Sequence, residues 1–308
     1  MSSRDAIALG IQVSGVALAP LLVGGVQSVK ARLQGRRGSG PLQPYRELRR
    51  LWRRSAVDPL GAGPVYRAAP LLVGAALALC LLVVPVAAYG TDLPAGHDIL
   101  VVAGLLALAR VAMALSAWDT GGAFGLMGAS RDLTFAVLGE ALLVMVALVA
   151  ALPADTTDLQ AMWSASAGGA IWTEPAHWCG ALAMGLVVLL ETGRQPIDNP
   201  DTHLELTMIH EGPLLEYAGR DLAILQWAAA ARHWVVLVLA AGLFLPHPHS
   251  FAPAIAALAL GVAALVIALG VVETWQAKMR LLRVPPILLA GTAVALLGLV
   301  SWVAGGGL

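Results

Sequence analysis

Four ionisable residues stand inside or beside long apolar runs of this 308-residue chain: Arg110, Glu140, Arg232 and His233. Charge in such a run is costly, and by default it marks an internal ion pair or an ion pathway. Arg110 and Glu140 fall in consecutive runs, so two readings stay open. Either the two form a structural pair, or Glu140 takes up and releases protons. Arg232 and His233 lie nearer one end of their run, where packing, pairing or snorkelling accounts for them.

A second concentration of chemistry is the stretch ETGRQPIDNPDTHLELTMIHEGPLLEYAGRD, from Glu191 to Asp221. Its seven carboxylates are Glu191, Asp198, Asp201, Glu205, Glu211, Glu216 and Asp221, set against only Arg194 and Arg220. Asp198 or Asn199 is placed to cap a helix that starts at Pro200. In that helix Asp201 and Glu205 share a face at i,i+4, and like charges at that spacing raise a carboxylate pKa. Raised carboxylates suit a proton relay, although composition alone favours a solvated acidic loop. His203 and His210 lie near glutamates without an HExxH pattern, which speaks against a metal site. Cys80 and Cys179 form no CxxC or zinc spacing and read as small apolar fillers, so a cofactor with cysteine ligands would belong to another chain.

The elements that must position these groups are membrane spans. Hydrophobic residues make up 58% of the chain and charged ones 12%, against roughly 25% charged in an average soluble domain. The mean hydropathy is +0.78. Only a bilayer accommodates that much outward-facing apolar surface, and a formal net charge of zero gives no sign of nucleic-acid binding. Runs of about 20 apolar residues are Ala6–Val29, Ala68–Ala88, Ile99–Ala117, Leu133–Leu152, Trp178–Leu190, Leu222–Phe244, Phe251–Val272 and Ile287–Ala304. The expected fold is therefore all-α and polytopic, about eight transmembrane helices in one membrane domain, 1–308. The fifth run is short. The first run is too long for a signal core and has no basic segment before it, so it reads as a span.

Charge in the loops sets the orientation. Ten of the nineteen basic residues lie between the first and second runs, and Lys278, Arg280 and Arg283 lie between the seventh and eighth. Eight spans put both loops on one side, the cytoplasm by the positive-inside rule, with both termini outside. The opposite loops hold Asp92, Asp98, Asp155, Asp158 and Glu174 and no Lys or Arg. Within the basic loop, residues 30–67, Tyr45, Leu48 and Trp52 recur at helical spacing among arginines, the pattern of an interfacial amphipathic helix. That helix either marks orientation only or also docks a partner.

The acidic loop, 191–221, resembles the membrane subunit shared by complex I and energy-converting [NiFe] hydrogenases, through Glu191, Thr192, Arg194, Pro196, Asp198, Glu205, Leu206, Glu216 and Tyr217. Gly128, Ala129, Arg131 and Glu140 form a second matching patch, and the basic-loop segment Gly40-Pro41-Leu42-Gln43-Pro44 a third. The resemblance covers most of the chain. In complex I the relative is NADH dehydrogenase subunit 1; in the hydrogenases it is the formate hydrogenlyase subunit 4 or hydrogenase-4 component C type. NPDTHLELTMIHE and the segment AKMRLLRVP, from Ala277 to Pro285, are similar to the hydrogenase branch. Gln226 stands where quinone-linked members usually carry a glutamate.

The resemblance implies a non-catalytic subunit of a hydrogenase-like oxidoreductase in the inner cell membrane. It would anchor soluble large and Fe–S small subunits, meet antiporter-like membrane subunits, and couple electron transfer to movement of protons or sodium. Proton-transfer candidates on this reading are Glu140, Glu191, Asp198, Glu205, Glu211 and Glu216, with Arg110, Arg131 and Arg194 tuning their charge. It implies no cofactor in this chain; Fe–S clusters and a Ni–Fe centre would sit on partners. A quinone would bind only under the alternative, a respiratory NADH dehydrogenase subunit. A stand-alone transporter built on inverted repeats is disfavoured, because no internal repeat is visible.

Overall fold

The computed structural model describes residues 3–86, 96–167, 169–198 and 209–306. These residues form ten α-helices: α1 Ser3–Leu33, α2 Gln43–Trp52, α3 Pro64–Val83, α4 Ile99–Thr120, α5 Ala123–Ala151, α6 Leu159–Ser166, α7 Pro175–Glu191, α8 Gly219–Phe244, α9 Phe251–Trp275 and α10 Val284–Ala304. Seven of them, α1, α3, α4, α5, α8, α9 and α10, are long and apolar enough to cross a bilayer. The chain is an all-α polytopic membrane protein. α7 takes the place of the short fifth run. Its 17 residues span about 25 Å, a little less than the ~30 Å hydrocarbon core, and it packs against α5, α8 and α10.

Inside lipid the helices are nearly uniform in hydrophobicity, and burial is decided by neighbours. α8 is the central strut: every residue from Val235 to Phe244 is buried, and it meets α1, α2, α3, α7 and α9. α9 buries one stripe, Leu258, Val262, Val266, Leu269 and Glu273, while Leu260 and Ile267 face outward. The three- and four-residue steps of that stripe carry Glu273 into the interior.

Helix ends follow local chemistry. Pro64 and Pro175 stand in the first turns of α3 and α7, where a missing N–H costs nothing. Asp98 caps α4 through the Leu100 amide, 2.7 Å, and Asp158 caps α6 through the amides of Gln160 and Ala161, both 3.0 Å. Gly121, at φ 67°, closes α4 in the left-handed conformation.

The helix bounds differ from the apolar runs in an instructive way. α5 starts at Ala123, ten residues before the expected Leu133, because Arg131 and Asp132 lower the local hydropathy while remaining part of the helix. α3 runs from Pro64 to Val83, four residues earlier than expected. The amphipathic α2 forms where Tyr45, Leu48 and Trp52 placed it. α6 had no counterpart in the sequence reading. Cys80 is fully buried as expected, but Cys179 is only half-buried. The expected helix from Pro200, with Asp201, His203 and Glu205, lies outside the described residues.

Candidate functional site

The fold converges on Arg110 of α4, whose side chain is 2% exposed. Its guanidinium turns each nitrogen to a different carboxylate. Nη2 donates to Glu191 Oε1 at 2.6 Å, Nη1 donates to Glu140 Oε1 at 3.1 Å, and Nε lies 3.8 Å from Asp132 Oδ2. Asp132 and Glu140 are eight residues apart on α5, about two turns, and so line one helix flank. Glu191 is the last residue of α7. Close helix approach brings it in: a side-chain carbon on Gly139 would collide with Leu190, so the glycine before Glu140 admits the residue before Glu191.

The second oxygen of Glu191 faces Arg232 Nη1 of α8 at 3.8 Å. That oxygen, Oε2, makes no hydrogen bond among the described residues. The acidic loop joins from the other side. His210 lies between two carboxylates, with Nδ1 3.2 Å from Asp198 Oδ2 and Nε2 3.6 Å from Asp132 Oδ1. The His210 amide also donates to Asp198 Oδ2, 3.2 Å, and Lys278 approaches Asp198 Oδ1 at 3.4 Å. Burial alone would lower the His210 pKa. The hydrogen bond to Asp198 and the negative fields of Asp132 and Asp198 outweigh it and raise the pKa above its ordinary value. Room for the ring exists because Gly193 turns at φ 58° beside it.

A neighbouring branch ties the loop to α8 and α9. Arg194 Nη1 donates to Glu273 Oε1 at 3.1 Å and its Nε donates to His233 Nε2 at 3.3 Å. His233 Nδ1 stands 2.9 Å from the Ala229 carbonyl; as the donor there, it leaves Nε2 free to accept. Lys30 of α1 lies 3.9 Å from Glu273 Oε2.

These groups surround a cavity of about 650 Å³, reaching from α1 and α2 to Arg110, Asp132, Glu191, Arg232 and His233. Gln226, Asp198, His210 and Glu211 also line it. Among the described residues no group of three or more His, Cys, Asp or Glu is arranged to hold a metal ion. The arrangement can hold several opposite charges together in a low-dielectric interior.

Of the residues singled out from sequence, Arg110, Glu140 and Glu191 meet directly. Arg110 and Glu140 do pair, but the pair is part of a larger cluster rather than an isolated bridge. Asp198 reaches the cluster through His210, and Glu211 stands on the cavity wall. Arg194 does hold a carboxylate, that of Glu273. Glu216 stands apart from the cluster: its carboxylate lies over Gly122, and its carbonyl accepts from Tyr66 at 2.8 Å. Tyr66 stacks on Tyr217, ring centroids 4.3 Å apart, and burial pushes the Tyr217 phenol up to about 12. Arg131 is half-buried on α5, but its neighbour Asp132 is the residue of that turn that faces Arg110 and His210. Glu205 lies outside the described residues. Sequence reasoning missed Asp132, Glu273 and the role of His210. Glu273 is one residue past the seventh run, where a four-residue step from Leu269 was the available signal.

Fold and site together define a class: multi-pass helical membrane proteins that bury a connected set of acids and bases between a polar loop and the membrane interior. The chain belongs to the NADH dehydrogenase family, the complex I subunit 1-like membrane proteins, whose family model matches residues 6–304. It is 32% identical over 296 residues to hydrogenase-4 component C of Escherichia coli K12, covering 94% of this chain and 92% of that one. It is 33% identical over 304 residues to formate hydrogenlyase subunit 4 of the same organism, covering 94% and 95%. A chain in the structure of the membrane-bound sulfane sulfur reductase, an archaeal respiratory membrane complex, shares the fold, with a TM-score of 0.82 at 19% identity over 96% of this chain and 98% of that chain.

Proposed function

We propose that this chain is the membrane-anchoring and ion-coupling subunit of a hydrogenase or formate-hydrogenlyase-like complex, linking redox chemistry on soluble subunits to movement of protons or sodium ions. The observation that carries this reading is the unbroken electrostatic connection from the acidic loop into the helix bundle: Asp198 to His210, His210 to Asp132, Asp132 to Arg110, and Arg110 to both Glu191 and Glu140. Arginine does not itself release protons at neutral pH, so its part is to hold the acids close together. The acids and His210 carry the protons, with water bridging gaps longer than a hydrogen bond. Asp198, Glu191, Glu140 and Glu211 are the relay; Glu216 lies apart from it, over Gly122. The basic loop faces the cytoplasm, where the partners carry the Fe–S and Ni–Fe centres, and both termini lie outside.

The 32% and 33% identities over nearly the whole chain support the hydrogenase branch. A quinone-linked role is the second reading, favoured by the 650 Å³ cavity that opens between α1, α2 and α8, a size within the usual range for small-molecule sites. The deciding experiment is Glu191→Gln in native membranes, with assembled complex and ion translocation measured together. The proposal expects less assembled complex, because Arg110 loses a buried partner, and loss of most translocation per complex that does assemble. Full translocation with normal assembly overturns it. Redox activity that depends on added quinone and is blocked by a cavity-filling Ala228→Phe supports the second reading instead.

A further inference from the structure

A second concavity, separate from the charged cavity, opens on the flank of the bundle beneath α2. It measures about 510 Å³ and is walled by Leu48 and Trp52 of α2, Leu71 and Ala75 of α3, and Ile224 and Trp227 of α8. Gly74, Ala78 and Ala223 deepen it, because small side chains let the surface recede. The indole N–H of Trp227 is turned away to the Val16 carbonyl at 2.9 Å, so the wall is apolar. Leu48 is the one residue that also touches the charged cavity, whose α2 wall is otherwise Gln43, Pro44, Glu47 and Arg50. Trp52 is 56% and Leu71 66% exposed.

Four arginines lie within one helical turn of the groove's lining residues, along the three helices that wall it. Arg220 lies four residues before Ile224 and seven before Trp227, on the same face of α8. Arg67 lies four residues before Leu71 on α3. Arg49 and Arg53 flank Leu48 and Trp52 on α2. All four arginines are exposed. Arg67 pairs with Asp58 at 3.1 Å, and Asp221 stands beside Arg220, so the positive excess comes from Arg49 and Arg53. An apolar groove that opens sideways beneath an interfacial helix, with arginines at the headgroup end only, matches an amphiphile with an anionic head.

We propose that this groove is a binding site for an anionic phospholipid of the leaflet on the basic-loop side. One acyl chain lies against Trp52, Ala75 and Trp227, and the phosphate is held by Arg49, Arg53 and Arg220. The bound lipid would fasten α2, which forms both the roof of the groove and one wall of the charged cavity. The inference does not depend on which redox partner the complex carries.

The test uses the complex in native-lipid-depleted phosphatidylcholine nanodiscs with phosphatidylglycerol carrying a photoactivatable acyl chain. Crosslinks should concentrate in peptides containing Leu48–Trp52, Leu71–Ala78 and Ala223–Trp227. Excess unlabelled phosphatidylglycerol should compete, and excess phosphatidylcholine should not. Ala75→Trp, which fills the groove, should remove the crosslinks. Arg49→Gln with Arg53→Gln should weaken the anionic preference about fivefold per arginine, the factor that ~1 kcal/mol per charge represents, while leaving the groove intact. Uniform labelling of all lipid-facing helices, equal competition by phosphatidylcholine, or occupation of the groove by a neighbouring protein subunit would each overturn the proposal. None of these outcomes bears on Glu191, whose translocation assay is read separately.

Discussion

Arg110 and Glu191 stand 81 residues apart in sequence and are joined by a 2.6 Å hydrogen bond between side chains that are 2% and 1% exposed. The same guanidinium reaches Glu140 and Asp132. One arginine thus fixes three helices, α4, α5 and α7, and a carboxylate at each contact. Removing one partner of so buried a pair is much more costly than replacing both, because it leaves an uncompensated charge behind.

Arg110→Leu is expected to destabilise the chain by about 3–5 kcal/mol and to lower the amount of assembled complex in membranes. Pairing it with Glu191→Gln should restore part of that amount, since the orphaned charge is gone. Quantitative blotting of single and double variants reads the coupling; strictly additive losses would mean that the two residues do not act as a pair.

Glu140 is expected to behave differently. Its side chain is 36% exposed, and Arg110 keeps Glu191 and Asp132 when Glu140 is neutral. Glu140→Gln should therefore leave assembly near normal, while coupled turnover falls strongly. Turnover and assembly measured on the same membranes check this. A large fall in assembly with turnover per complex unchanged would assign Glu140 a structural role alone.

His210 should make the acidic loop pH-sensitive. Its folded pKa is raised by Asp198 and Asp132 against burial, so the protonated ring stabilises the folded loop. That stabilisation is fully present below the ordinary histidine value of about 6.5 and is lost as pH rises through the higher folded pKa. Limited proteolysis of the 191–221 loop in proteoliposomes should therefore become faster as pH rises above the ordinary histidine value of about 6.5. His210→Gln should flatten that dependence; an unchanged profile in the variant would place the titrating group elsewhere.

Gly139→Val should be poorly tolerated, because its new side chain meets Leu190. Overpacking of this kind costs about 1–3 kcal/mol, and here it also pushes Glu191 away from Arg110. The expected result is a lower thermal midpoint of the solubilised complex together with lost translocation. Leu190→Ala in the same chain should restore both in part.

Composition and the length of the apolar runs set the medium and the architecture. Some twenty apolar residues in a row have one physical solution in a bilayer, a helix that satisfies its own backbone, so most spans could be read from composition. Tyr45, Leu48 and Trp52 among arginines specified α2, since an interface sorts side chains by face. The acidic loop and the isolated charges at Arg110, Glu140, Arg232 and His233 were visible because membranes make such residues conspicuous. What tertiary structure alone decided was who meets whom. Asp132 and Glu273 were hidden in plain hydropathy, one beside a run and one past its end, and became part of the site only through the packing of α5 against α4 and of α9 against α1 and α8. His210 looked like one polar residue of a loop until folding set it between Asp198 and Asp132. A carboxylate's partner across 81 residues is fixed by helix approach at places such as Gly139, and that approach depends on the shapes of two surfaces at once, which no local pattern of residues encodes.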